Sequence, residues 1–343
     1  MKVKRVGVDL AKTVFQVHGV DGNEQPVWQR RLSRGGWVEA VTAKLVPGGE
    51  IGMEACAGAH HWARTFRSRG YRVKLIAPQF VKPYVKSNKH DVADAEAICE
   101  AMSRPSMRFV SVKSVEQQDI QAVHRVRAEL VGQRTAKANQ IRGLASEYGV
   151  VAPRELSHLR RAIPRWLENG ENGLSERFRR LLDGLWSDLR RLDERVSELT
   201  AEIEANATTH PDAKRLQQLR GVGPIIATAL VATMGDGAQF RRGRDFAVSL
   251  GLTPRQHSTG GKERLLGISK RGEPYLRSLL VHGERSALYA ARNKDDRLSL
   301  WVKGIAARRH PNVAAVAWAN KTARLAWAVV AQGSDYVPQR ATA

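Results

Sequence analysis

Cysteine is nearly absent: Cys56 and Cys99 are the only two in 343 residues, too few for a disulfide framework or a cysteine zinc site, and neither takes a role. Aromatic residues are also sparse, at 6%, which argues against a stacking platform as the main grip on single strands. No long uncharged apolar run is present. The most apolar stretch, Pro311 to Gln332, carries Lys321 and Arg324 at its centre, so it reads as a core helix and a membrane partner is not expected. The opening MKVKRVGVDLAK has neither the apolar block nor the cleavage site of a signal peptide, and a cytoplasmic, nucleoid-associated protein is expected. Acids are outnumbered, 34 Asp and Glu against 56 Lys and Arg, for a formal net charge of +22. Such an excess calls for an anionic partner, and nucleic acid fits better than a membrane surface.

The length suits two or more packed domains. From Val3 to Pro78 strand-like and helix-like segments alternate: VKRVGVDL, TVFQVHGV, a turn at Asp21 to Asn23, and PVWQRRL read as a hairpin meander opening a sheet. A helix around Gly36 to Leu45, a strand EIGMEA, a helix from His60 to Ser68, a strand YRVKLIAP and a helix starting near Asp91 complete an α/β layer fold. Val115 to Tyr148 is short of turn residues and predicts one long helix, ended before Pro153 and Pro164. Phe178, Leu182, Leu185, Leu189, Leu192, Val196, Leu199 and Ile203 then form a heptad seam. It predicts a helix paired either within the chain or with another subunit. After His210 and Pro211, Gly-rich turns and short apolar helices predict a mainly helical C-terminal domain. The expected divisions are 1–104, 105–209, 210–332 and a loose tail over 333–343.

Four carboxylates are the candidates for metal chemistry. Asp9 and Glu54 each end a strand, and Asp91 and Asp94, three apart at a helix start, share one face. Hard oxygen ligands of this kind suit Mg²⁺ or Mn²⁺ in phosphodiester chemistry. Taken singly, each acid has a plainer reading: Asp91 as an N-cap, Asp94 as a partner of the helix dipole, the strand-end acids as solvated groups. The order strand-Asp, strand-Glu, helix-Asp-x-x-Asp is more specific, and it resembles RuvC and RNase H type nucleases, whose first strand carries a metal-binding aspartate. GVDLAKT also resembles the first phosphate loop of sugar-kinase and actin-like ATPases, but the second glycine-rich phosphate loop of that fold is missing.

Two C-terminal motifs point to DNA. LRGVGPIIATALVATMG sets Gly221 and Gly223 between helical stretches and resembles a helix-hairpin-helix, in which glycines let backbone N–H groups approach a phosphate; a simple glycine turn between packing helices is the alternative. GLTPRQHSTGGKERLLGISKRGEPYLRSLL holds Ser258 and Thr259 before two glycines, with Lys262, Arg264, Lys270, Arg271 and Arg277 close by. A hydroxyl among cations can approach a phosphodiester as a nucleophile, or Ser258 is a turn residue on a phosphate-gripping face. His257, adjacent on an extended segment, is read as a bystander.

GVDLAK with KHDVADAEAI at the front and PRQHSTGGKERLLGISKRG at the back resemble the DEDD transposases of insertion-sequence family one-ten, more specifically its eleven-eleven subgroup, over nearly the whole chain and in the right order. The resemblance implies a RuvC-like domain over 1–104, a helical coiled-coil region over 105–209 and a transposase domain over 210–332. It implies that Asp9, Glu54, Asp91 and Asp94 are the metal-binding quartet and that Ser258 forms a covalent phosphoserine link to DNA, with Thr259 as the fallback because many relatives carry two serines there. It further implies a noncoding bridge RNA pairing with donor and target duplexes, dimers to tetramers, and active sites that join a RuvC-like domain to a partner's serine domain. Two rival readings are a metal-only junction endonuclease, in which water attacks, and a non-enzymatic architectural protein that holds nucleic acid.

Overall fold

The structure, a computed structural model, describes residues 2–86 and 91–337. Lys89 and His90 of the KHDVADAEAI motif and residues 338–343 of the expected tail lie outside the described residues. The chain forms two compact units, Met1–Ser114 and Val115–Ala343.

The first unit is built on a six-stranded sheet. Strands β1 (Val3–Leu10), β2 (Val14–Val20) and β3 (Pro26–Ser33) form the antiparallel meander that the turn at Asp21 foretold. The chain then passes through α1 (Trp37–Lys44) into β4 (Leu45–Glu54), α2 (Ala59–Arg67), β5 (Arg72–Ile76), the short α3 (Pro78–Val81), α4 (Asp91–Ala101) and β6 (Phe109–Val110). The strand order is β3-β2-β1-β4-β5-β6, with β1, β4 and β5 parallel and β6 antiparallel to β5. Strand β4 begins at Leu45, ahead of the expected EIGMEA segment and across Gly48 and Gly49, which hid its start from the alternation pattern.

Alternation of the parallel strands decides where the layers go. Val6 and Val8, with Ile51 and Met53, point into a core shared with Trp37, Val41, Ala63 and Phe66. The opposite face carries Gly7 on β1 and Gly52 on β4, which are register partners. Helix α4 lies directly on that pair. A Cβ at Gly7 would sit 2.3 Å from the Ala95 carbonyl oxygen, and one at Gly52 would sit 2.5 Å from the Met102 sulfur. Only glycine lets the helix come so close.

The second unit is helical. Helix α5 (Val115–Ser146), α6 (Leu156–Glu168) and α7 (Glu176–Thr209) form an arm in which α7 packs on α5. Six of the eight seam positions, Phe178, Leu182, Leu185, Leu189, Val196 and Ile203, are buried, several against Ala138 and Ile141 of α5 and Leu159 and Ile163 of α6. The seam thus has a partner within the chain. Ser175 caps α7 through the Phe178 N–H, and Arg160 of α6 pairs with Asp193 of α7.

Beyond the arm come α8 (Pro211–Leu216), α9 (Pro224–Met234), α10 (Gly243–Ser249), a hairpin of β7 (Pro254–Gln256) and β8 (Leu265–Ile268), α11 (Pro274–Ala290), α12 (Arg297–Ala306) and α13 (Pro311–Gln332). The apolar stretch at 311–332 is a helix whose Ala319, Ala323 and Ala326 enter the core. Among the described residues no helix is long and apolar enough to cross a membrane. The hairpin departs from the expected run of turns and short helices: its strands are short and largely exposed, so they carry no periodic apolar signal.

Candidate active site

Strand β1 delivers Asp9 two residues after Gly7, on the same face of the sheet. Strand β4 delivers Glu54 two residues after Gly52; Val8 pairs with Met53, so Asp9 and Glu54 follow side by side on neighbouring parallel strands. Helix α4, seated on the two glycines, contributes Asp91 and Asp94 from its first turn. One carboxylate oxygen from each of Asp9, Asp91 and Asp94 lies within 4.8 Å of the others. Asp9 and Asp94 are half-buried and Asp91 is exposed, which leaves the group open on one side. Glu54, half-buried, is not one of this close trio, but its charge is near. Burial, then the Glu54 and Asp9 carboxylates, push the Cys56 thiol up. Cys99, between α4 and the sheet, is pushed up to about 12, chiefly by burial, which makes it a small apolar filler.

Three carboxylates this close repel one another, and oxygen donors gathered at an open edge suit a hard divalent cation. Asp9, Asp91 and Asp94 therefore fit a hard divalent cation. The glycines two residues ahead of both strand acids, in GVD and GME, were the sequence signal for the helix seat, and acid spacing alone did not reveal it.

Ser258 stands near the tip of the β7–β8 hairpin. The Lys262 N–H donates to the Thr259 carbonyl at 3.1 Å, and Gly260 and Gly261 take φ of +56° and +77°, a two-residue turn with both central residues left-handed. The Ser258 Oγ accepts a hydrogen bond from the Gln256 side-chain amide at 2.9 Å. An amide donor cannot take the hydroxyl proton, so within its own hairpin the serine is oriented and not activated. The His257 backbone N–H donates to the Arg264 carbonyl, which closes the ladder. Lys262, Arg264, Lys270 and Arg271 are exposed around the hairpin, while Thr259 sits at the first corner of the turn.

The hairpin stands on a stiff root. Lys270 has φ of +55°, unusual for a residue with a side chain, and is held by its N–H to the Gly251 carbonyl. A Cβ at Gly272 would lie 1.7 Å from the Ser249 carbonyl oxygen, so the two ends of the loop touch backbone to backbone. Arg277 turns inward: its guanidinium donates to the carbonyls of Leu250 at 2.9 Å and Arg271 at 3.2 Å. That bracing role was invisible in a run of cations.

The Gly221 turn leads into α9, with Gly221 at φ +78° and Gly223 at the N-cap. It is fixed from two sides. Arg220 binds Asp296 and Ser299 at the start of α12, at 2.8 and 2.9 Å; against the opposing effect of burial, the hydrogen bonds from Ser299 and Arg220 hold the Asp296 carboxyl well below the usual range. Beneath the turn, a Cβ at Gly221 would meet the Glu284 carboxyl at 2.8 Å.

Residues 6–150 match the family model of DEDD transposases of the IS110 type, described as Transposase, and residues 213–298 match the one described as Transposase IS116/IS110/IS902 family. A probable family 20 transposase of Pseudomonas aeruginosa is 49% identical over 98% of this chain and 100% of its own length. The transposase for insertion sequence element IS1111A of Coxiella burnetii is 46% identical over 97% of this chain and 91% of its own. That for element IS1328 of Yersinia enterocolitica is 41% identical over 97% and 98%. The chain therefore belongs to the IS110/IS116/IS902 family of insertion-sequence transposases, enzymes that cut and rejoin DNA.

Proposed function

We propose that this transposase is a bridge-RNA-guided recombinase that joins donor and target duplexes through a serine–DNA intermediate, with Mg²⁺ or Mn²⁺ at Asp9, Asp91, Asp94 and Glu54. The observation that carries the metal part is the trio of carboxylate oxygens within 4.8 Å, drawn from a strand end and a helix start. A divalent ion bound there supplies charge neutralisation at a phosphodiester. The meander of β1 to β3 followed by parallel strands, with acids at their C-terminal ends, supports an RNase H-like, RuvC-like reading of 1–104. Residues 105–209 are a coiled-coil arm that also serves assembly into dimers to tetramers, and 210–332 the transposase domain.

In this reading Ser258 attacks the backbone phosphorus. The Oγ–P bond forms as one P–O bond of the strand breaks, the serine proton leaves, and the departing DNA oxygen takes up a proton. A hydroxyl of the exchanged strand then reverses the step and frees the serine. One phosphodiester is exchanged for another, so no high-energy cofactor is needed. Lys262, Arg264, Lys270 and Arg271 hold flanking phosphates, Arg277 braces the root of the hairpin, and the Gly221 to Gly223 turn offers backbone N–H groups to a further phosphate. As the family resemblance implies, the acids of one subunit and the serine of a partner copy serve the same phosphodiester. The net charge of +22 suits an RNA and two duplexes.

Sequencing the RNA that co-purifies with the protein tests the guided part. A single species complementary to both donor and target junctions is expected, and nuclease digestion of it should stop recombination. Recombination that survives complete RNA removal would leave an unguided enzyme.

A further inference from the structure

Helices α12 and α13 carry a cation cluster that lies beyond the family match ending at residue 298, Arg297 excepted, and has no part in the reading above. The Lys321 Nζ sits 4.7 Å from the centre of the Trp301 ring, which is 37% exposed. Arg297 lies one turn before Trp301 on α12, and Arg324 lies three residues after Lys321 on α13. Arg297 and Arg324 are exposed and Lys321 is half-buried. Among the described residues neither Lys321 nor Arg324 has a carboxylate partner within ion-pair distance. Burial, then the Arg297 and Arg324 charges, push the Lys321 ammonium below its ordinary range. Lys321 and Arg324, two like charges three residues apart on one helix, repel each other unless an anion joins them.

The cluster is tied to the hairpin root. Asn320, next to Lys321, donates its side-chain amide to the Leu252 carbonyl at 3.1 Å, two residues before β7. On the neighbouring turn of α13 the backbone at Arg324 is so close to α10 that a Cβ at Gly243 would lie 2.6 Å from the Arg324 carbonyl oxygen. Helix α13 is therefore joined to the root of the loop that carries Ser258. The Trp301 ring keeps the flexible Lys321 stem in one place, which lowers the ordering cost of gripping a ligand.

We propose that Arg297, Lys321 and Arg324, with Lys321 seated on Trp301, form a second grip on the DNA backbone, holding phosphates that flank the strand offered to the hairpin. Duplex DNA is favoured over RNA because the cluster is anchored to the serine-bearing loop; in this the inference rests on the proposed role of that loop. The contact is sequence-independent, since every group in it addresses charge.

Binding of a labelled DNA duplex to the full chain across a series of salt concentrations tests it. Every phosphate that a variant no longer neutralises makes the slope of log K against log salt shallower by about 0.9, so K321Q with R324Q should flatten it by about 1.8. R324Q alone, at an exposed position that leaves folding intact, should flatten it by about 0.9, and K321R with R324K should restore the parent slope. Slopes unchanged in R324Q and in the double variant would overturn the proposal. So would flattening with an RNA duplex but none with DNA, which would give the face to RNA. Ser258→Ala separates the two readings: it leaves the slope alone, and if it also leaves the covalent product intact the hairpin reading falls while the grip stands.

Discussion

Gly7 on β1 and Gly52 on β4 are register partners, and together they form the bare patch on which α4 sits. Two residues further along each strand stand Asp9 and Glu54, and the first turn of the seated helix brings Asp91 and Asp94 over the same edge. The gathering of Asp9, Asp91 and Asp94 is thus set by two missing side chains as much as by the acids themselves. Gly7→Ala forces the Ala95 carbonyl away and should cost about 1–3 kcal/mol while dispersing the acids. Gly35→Ala, with nothing within 4 Å of the added carbon, is the control. Urea unfolding with and without Mn²⁺ checks both: the Gly7 variant should lose its response to metal, and the Gly35 variant should keep it.

Metal binding should be visible in stability without any DNA. At roughly a hundredfold excess over its Kd, an ion that binds only the folded chain adds about 2.7 kcal/mol. The parent Tm should therefore rise with Mg²⁺ or Mn²⁺. Asp94→Asn removes one of three mutually repelling charges, so its Tm without metal should equal or exceed that of the parent and should respond little to the ion. A parent Tm indifferent to either ion would exclude the acid trio as a metal site.

Stability should fall as the pH rises from the ordinary carboxylate range toward about 8. Glu284 is fully buried, accepts one hydrogen bond from Thr322 at 2.6 Å, and its Oε2 has no hydrogen-bond partner among the described residues; burial pushes its carboxyl up to about 8. The unfolded chain gives up this proton near the usual carboxylate pKa, whereas the folded chain keeps it until about 8. Between those points the unfolded state binds fewer protons, so stability drops by at most about 1.4 kcal/mol per pH unit and then levels off. Denaturant titrations from mildly acidic to mildly alkaline pH should show this slope in the parent and a flatter one in Glu284→Gln.

The hairpin root and its tip should respond differently to the same change. Gly272→Ala combines φ of +83° with a carbon 1.7 Å from a carbonyl oxygen, whereas Gly260 has φ of +56° and open space around it. Gly260→Ala should cost about 1 kcal/mol and retain measurable recombination. Gly272→Ala should lose recombination outright and lower the Tm. Equal behaviour of the two would show that the stiff root is not what positions Ser258.

Much of this was legible in the residues. The heptad seam of α7 was read from spacing, and its buried positions show why: apolar periodicity reports burial directly. The helix at 311–332 and the strand ends bearing Asp9 and Glu54 were legible for the same reason. The hairpin was not, because Arg255, Gln256 and Leu265 are exposed and its fold depends on two left-handed glycines and a backbone clamp, which leave no pattern. Arg277 looked like one more phosphate ligand, since nothing in a cationic run distinguishes a side chain that turns back to its own carbonyls. Proximity of acids from β1 and α4 could be guessed from their order, but the closeness of the helix depends on Gly7 and Gly52, whose role appears only once β1 and β4 are paired.

Mass spectrometry of the protein after reaction with a nicked donor duplex, in Mg²⁺, addresses the metal and the nucleophile together. A nucleotide-bearing peptide modified at Ser258 is expected in the parent, and is expected to be missing in Ser258→Ala and in Asp9→Asn, although both variants still bind the duplex. Cleaved DNA with no protein attached, or an adduct that persists in Ser258→Ala, would contradict it.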